Sequence, residues 1–188
     1  MEYKIATRDD IEATLALHQK YQIDTIKEED KKDGFVTTAF SKEELEALVA
    51  KERGLFIAKE GTQVKAYVMS ASWEFWSKWD MFAFMMQNLE NISYKGVQLS
   101  VSNSYQYGPI AIDKSVRGTK ILHNIFHFAL KEMAKRYPFL VTFINKKNPR
   151  SFNAHTKKVG LEVIDEFKYN GNEYYELLYE TKNYKKLK

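Results

Sequence analysis

The absence of cysteine from a chain of 188 residues excludes disulfide scaffolds, thiolate metal sites and a cysteine nucleophile. Hydrophobic residues at 44% and charged residues at 29% describe a globular composition, long enough to bury about 70% of the surface of the unfolded chain within one domain spanning 1–188. The net charge is only +4, no apolar run approaches the ~20 residues of a membrane span, and Met1-Glu2-Tyr3-Lys4 lacks the form of a signal peptide, so a cytoplasmic protein with no membrane partner is expected.

Glu2–Ala6 reads as a short strand. Thr7 and Asp10 form a capping pair that opens a helix to about Tyr21, with Ile11, Leu15 and Leu17 among its apolar positions. Asp24–Gly34 is polar and dense in charge. A capping box at Ser41-Lys42-Glu43-Glu44 opens the next helix, which turns Leu45, Leu48 and Val49 inward and stops at Gly54.

Leu55–Lys59 and Val64–Phe75 read as strands joined at Glu60-Gly61-Thr62. Both faces of the second are apolar, which fits a central sheet covered by helices. An aromatic helical insertion follows at about 76–94, with Ser77 and Asp80 placed to cap it. Its Phe82, Met85, Met86 and Leu89 recur at helical spacing. Core packing is the default for such a stripe. A substrate-pocket wall or a homodimer contact stays open, because the stripe is wider than one packing face needs.

Lys95-Gly96 is a turn and Val97–Ile112 a long strand, interrupted near Gly108-Pro109 where a bulge would free backbone groups. The strand ends on Ile110-Ala111-Ile112, breaks at Asp113-Lys114-Ser115 and runs into a helix from Arg117 to Arg136. A strand feeding a helix start in this way is a ready anion site, and Lys114, Arg117 and Lys120 crowd it. His123 and His127 have metal-ligand spacing but no partner glutamate or third ligand, so no metal site is expected. Phe139–Ile144 is a strand and Asn148–Val159 a polar helix opened by Pro149 and closed by Gly160. Leu161–Tyr169 and Asn172–Tyr179 flank the hairpin turn Asn170-Gly171. Four lysines in Lys182–Lys188 read as a solvated basic tail; a nucleic-acid partner is disfavoured because no basic stripe with interleaved aromatics is evident.

Two of these segments carry a resemblance. Ile110-Ala111-Ile112-Asp113-Lys114-Ser115-Val116-Arg117-Gly118-Thr119-Lys120-Ile121-Leu122 resembles the acetyl-CoA pyrophosphate loop of the GCN5-related N-acetyltransferase (GNAT) superfamily. Asn148-Pro149-Arg150-Ser151-Phe152-Asn153-Ala154-His155, running on to Gly160-Leu161, resembles its second cofactor motif. The order of elements agrees across essentially the whole chain. The resemblance implies an α/β (α+β) GNAT-like acyl-CoA N-acyltransferase fold, with a central mixed, mostly antiparallel sheet and helices on both faces. The superfamily pattern Arg/Gln-x-x-Gly-x-Gly/Ala is matched at Arg117, and Gly118 follows it as the usual Arg-Gly pair. Lys120 and Leu122 stand where the pattern has small residues. Lys120 either reaches a phosphate or obstructs it, and the sequence leaves both open.

The activity implied is transfer of acetyl from acetyl-CoA, as co-substrate, directly to an amine of a small molecule or peptide. The alternative is a catalytically degenerate CoA-binding sensor or scaffold of the same fold. The resemblance assigns Ile110, Ala111 and Ile112 to the pantetheine arm, Arg117, Gly118, Thr119, Lys120, Ile121 and Leu122 to the pyrophosphate, and Asn148 with Ser151 to the second cofactor contact. His155 falls where relatives carry a tyrosine that protonates the departing thiolate; a histidine that only hydrogen-bonds its helix is the other reading. Glu74, Tyr105 and Tyr107 are candidate bases, and Tyr107 is paired with His155 as a catalytic candidate. The aromatic insertion favours an apolar or aromatic amine as acceptor.

Overall fold

The computed structural model describes residues 1–31 and 34–186, without the side chains of Lys185 and Lys186. Lys32 and Asp33 of the polar segment, and Leu187 and Lys188 of the basic tail, lie outside the described residues. The strands are β1 (Glu2–Ile5), β2 (Leu55–Glu60), β3 (Gln63–Ala71), β4 (Ser93–Tyr94), β5 (Val97–Gln98), β6 (Ser104–Ile112), β7 (Phe139–Asn145), β8 (Glu162–Tyr169) and β9 (Asn172–Glu180). The α-helices are α1 (Ile11–Tyr21), α2 (Glu28–Lys31), α3 (Lys42–Ala47), α4 (Trp73–Trp76), α5 (Asp80–Asn88), α6 (Ile121–Met133) and α7 (Pro149–Asn153). The main sheet has the strand order β1-β2-β3-β6-β7-β9-β8. Its described ladders are antiparallel except β6–β7, which is parallel. No helix among the described residues is long and apolar enough to cross a membrane.

The chain divides into two units, Met1–Ser70 with Gly108–Ala129, and Ala71–Tyr107 with Leu130–Lys188. In the first, Asp10 reaches back to Thr7 as its sequence position predicts, accepting from Thr7 N at 2.9 Å. The same carboxylate also binds Lys4 and Lys59 at 2.8 and 2.9 Å, and this buried ion cluster joins the helix start to β1 and β2. The Ser41 capping box forms in both directions, with Glu44 N donating to Ser41 Oγ and Ser41 N to Glu44 Oε2. The α3 helix widens into a π turn over Leu48–Glu52, and Arg53, not Gly54, takes the left-handed position at φ 50°. Gly54 is needed for another reason: a Cβ there would lie 1.8 Å from Ser70 O. Register opposes Ile57 to Tyr67 and Phe56 to Val68. His18 of α1 meets Tyr67, and Phe128 of α6 meets Phe56, so helices cover both faces of this part of the sheet.

In the second unit β3 stops at Ala71 rather than at Phe75, because Ser72 Oγ accepts from Phe75 N and starts α4. The helical insertion therefore begins at Trp73, three residues earlier than its sequence pattern suggests. Asp80 opens the first turn of α5 instead of capping it, and the Ser77 hydroxyl donates to Glu74 O. Phe82, Met85 and Leu89 are buried, and Met85 and Leu89 join Trp73, Val141 and Leu178 in one core cluster, the default reading of the stripe. The long strand expected over Val97–Ile112 is broken by a turn at 99–103, where Asn103 Oδ1 accepts from Ser100 N and Asn103 Nδ2 donates to Gln98 O. Trp73 Nε1 donates to Ser104 Oγ, which sets α4 on the Ser104 and Gln106 face of β6. The Asn170-Gly171 turn forms with both residues at positive φ, 46° and 73°.

Candidate functional site

The loop that connects β6 to α6 is built in the first unit. Asp113 N donates to Lys65 O, which ends the strand. The Asp113 carboxylate then accepts from Ser115 N at 2.9 Å and from Lys20 Nζ at 2.7 Å, closing a 3-10 turn over Lys114–Val116. Burial pushes this carboxyl up, but Lys20 and the two Ser115 donors outweigh it and hold it down at about 2. The helix expected from Arg117 starts four residues later, at Ile121. Arg117 is extended at φ −66°, ψ 151°, and Gly118 follows in the left-handed region at φ 83°. A Cβ on Gly118 would meet nothing within 4 Å, so conformation fixes glycine here and leaves open space beside its backbone.

Each loop residue named from the sequence has a definite place. Ile110 and Ile112 are half-buried and Ala111 buried. Arg117 Nε donates to Ile112 O at 2.8 Å, and its guanidinium lies 4.7 Å from the centre of the Tyr21 ring. Tyr21 Oη accepts from Lys114 N at 2.7 Å. Thr119 Oγ1 donates to Val116 O and accepts from Ile121 N, Ile121 is buried at the start of α6, and Leu122 is half-buried. Lys120 is exposed, and none of the described residues pairs with its ammonium. Lys114 Nζ pairs with Asp30 of α2 at 2.8 Å. Tyr21 is the organiser that sequence reading missed; ending an amphipathic helix, it gave no signal of its reach across the chain.

The second motif lies in the other unit. Asn148 caps α7 through Oδ1, which accepts from Ser151 N at 3.1 Å, and Pro149 occupies the first turn as expected. The helix is shorter than its pattern, turning to a π form over Ala154–Lys158 before Gly160 at φ 82°. His155 is buried, and its Nδ1 lies 2.8 Å from Ser151 O. A carbonyl only accepts, so Nδ1 carries the proton and Nε2 is an acceptor. Burial pushes the imidazole down and the Ser151 bond only partly offsets it, so the ring is neutral. In this tautomer the His155 proton lies on the Ser151 side and Nε2 is free to accept. The Tyr107 ring packs edge-on against it at 5.7 Å.

Burial raises the phenols of Tyr105 and Tyr107 far above neutrality, so both are protonated at neutral pH. Glu74 is exposed on the first turn of α4. The carboxylate that sequence reading overlooked is Glu176 on β9, 1% exposed and raised to about 7, first by burial and second by the facing Asp165. Its signal was parity: Tyr174, Glu176 and Leu178 alternate on one face of a strand. Tyr107 also marks where β6 and β7 change their mode of contact. The parallel ladder runs from Ser104–Phe139 to Gln106–Val141; beyond it, Tyr107 O accepts from the Thr142 hydroxyl and from Gln106 Nε2, both at 2.6 Å.

No family model matches the sequence, and no curated protein matches it. Solved structures do match the fold. An N-acetyltransferase from Staphylococcus aureus Mu50 superposes with a TM-score of 0.62 at 16% identity, over 96% of this chain and 98% of that one. A ribosomal-protein-alanine N-acetyltransferase from Brucella melitensis gives 0.62 at 14% identity, over 96% and 99%. A protein from Salmonella typhimurium, solved with its cofactor acetyl-CoA, gives 0.63 at 11% identity, over 96% and 94%. These likenesses, with the sheet order and the two motifs, define an acyl-CoA N-acyltransferase fold. The chain has the fold of the GCN5-related N-acetyltransferase superfamily.

Proposed function

We propose that residues 1–188 form one acetyltransferase domain that moves the acetyl group of acetyl-CoA to an amine, in the cytoplasm. The observation that carries this reading is the loop from Asp113 to Ile121. Gly118 holds a left-handed conformation beside open space, the exposed Lys120 carries positive charge while Lys114 is paired with Asp30, and the first turn of α6 points its amides here, that of Ile121 donating to Thr119 Oγ1. That donor set fits a diphosphate. Gly118, Thr119, Lys120, Ile121 and Leu122 would hold it, with Arg117 bracing the loop through Ile112 O and Tyr21. The strand residues Ile110, Ala111 and Ile112 would line the pantetheine arm, and Asn148 and Ser151, locked at the start of α7, would supply the second contact.

Acetyl-CoA supplies the acyl group and a thiolate leaving group. What the protein supplies is orientation and proton placement. Tyr107, protonated at neutral pH, and His155, neutral and fixed by Ser151 O, are the two catalytic candidates and pack ring against ring. A melting shift tests the cofactor reading: acetyl-CoA at 100 times its dissociation constant adds about 2.7 kcal/mol. No shift at millimolar acetyl-CoA would sink it. The degenerate sensor or scaffold is favoured by one observation, the commitment of the His155 proton to Ser151 O. Mass spectrometry of an amine panel with acetyl-CoA separates the two, since binding without any acetylated product means a sensor.

A further inference from the structure

We propose that Glu176 and Gln106 form a recognition site for the ammonium group of an amine, beneath the aromatic helices α4 and α5. Each residue is 1% exposed, and Oε1 of each has no hydrogen-bond partner among the described residues. Register places them on one face. Gln106 opposes Val141, Val141 opposes Leu178, and Phe143 opposes Glu176, so both side chains stand on the face that α4 covers through Trp73 and Ser104. Trp76 Nε1 donates to Gln106 O at 3.3 Å, the Phe82 ring meets Trp76 at 5.1 Å and Phe143 at 5.7 Å, and Phe143 meets Tyr174 at 5.6 Å.

Two buried oxygen acceptors among aromatic rings, with no donor opposite either, are costly unless something brings donors to them. One of the two N–H groups of the Gln106 amide is committed to Tyr107 O, and neither Oε1 accepts a hydrogen bond from the other residue. A metal ion would require more oxygen ligands than two. An ammonium group carries three donors and a positive charge, and aromatic faces attract that charge. The apolar surroundings select an alkyl or aryl body over a polycation. This inference rests on the acetyltransferase reading for its meaning, the ammonium being that of the acceptor. Its place agrees with that role: the β6–β7 ladder ends at Gln106, next to Tyr107.

Calorimetric titration of the full chain at about pH 8, with CoA present so that no acetyl transfer occurs, tests it with 2-phenylethylamine and butylamine against the neutral 2-phenylethanol. The amines should bind about tenfold or more tighter than the alcohol, and Glu176→Gln should remove that preference without changing CoA affinity. Gln106→Leu should weaken amine binding to a smaller degree. Carbon-13 NMR of the Glu176 carboxyl should show its titration midpoint falling by about one unit or more when 2-phenylethylamine is added. Equal binding of amine and alcohol, an unmoved Glu176 titration, full amine affinity in Glu176→Gln, or no binding of either amine would overturn the site. Amine binding without CoA binding would instead remove the acetyltransferase reading and leave the ammonium site standing.

Discussion

The guanidinium of Arg117 rests 4.7 Å from the centre of the Tyr21 ring, while the hydroxyl of that ring accepts from Lys114 N at 2.7 Å. One side chain at the end of α1 thereby fixes two points of the loop between β6 and α6. Tyr21→Phe keeps the ring under Arg117 but leaves the Lys114 amide without its acceptor, an expected loss of about 1 kcal/mol. Tyr21→Ala removes both supports and about 3–5 kcal/mol of packing. Acetyl-CoA affinity should fall about tenfold in the alanine variant and about twofold in the phenylalanine variant. Denaturant titration and calorimetry report the two effects separately. Equal acetyl-CoA affinity in all three proteins would show that the brace has no part in cofactor binding.

The role of Tyr21 leaves no local mark in the sequence. Local signals in the sequence are those a few residues resolve: the Ser41 box, Pro149 at the start of α7 and the Asn170-Gly171 turn all form where their spacing puts them. Boundaries set by side-chain competition were misplaced. Ser72 diverts β3 into α4, Asn103 breaks the strand before β6, and Asp113 with Gly118 delays α6. Contacts between residues far apart in the chain, such as Asp10 with Lys59 and Arg117 with Tyr21, leave no local trace. The turn after β6 and the start of α7 were legible as local structure because each is one contiguous segment. Glu176 required knowing which face of β9 is covered.

Lys120 stands where a small residue was expected, exposed and with no pairing partner among the described residues. A cation so placed, beside a loop shaped for an anion, should contribute by charge. Lys120→Gly is expected to weaken acetyl-CoA binding about fivefold, near 1 kcal/mol, and to flatten its salt dependence. A glycine variant that binds more tightly would show that the lysine obstructs the loop. Arg117→Ala should cost more, because it also releases Ile112 O and uncovers Tyr21.

Asp10 is buried and bound by Lys4, Lys59 and Thr7. Burial alone would push its carboxyl up, but Lys4, the Thr7 amide and Lys59 hold it well below the usual carboxylate range. A depressed acid stabilises the fold at any pH above its unfolded value and stops doing so as pH falls through its folded value. Stability should therefore decline progressively as pH falls below about 4. Asp10→Asn leaves two lysines facing a neutral amide and should cost about 3 kcal/mol at neutral pH, with the difference shrinking in acid. Urea midpoints at several pH values measure this; a pH-independent difference would exclude the ion cluster as its cause.

Glu176 has the opposite sign. Burial, and then the facing Asp165, raise it to about 7. A raised acid favours the folded state while it is protonated, so its contribution is intact below the unfolded value near 4.3 and erodes as pH climbs to about 7. Above that the fold carries a buried carboxylate with no hydrogen-bond donor at Oε1 among the described residues. Glu176→Gln keeps the shape and removes the charge, and should stabilise the chain by about 3 kcal/mol at pH 8 while changing little at pH 4. Denaturation at both pH values is the measurement, and a variant no more stable at pH 8 than wild type would show that the carboxylate has a partner. A substitution that raises stability yet removes amine binding would explain why so costly a group stands on β9: the site gives up folding free energy for recognition.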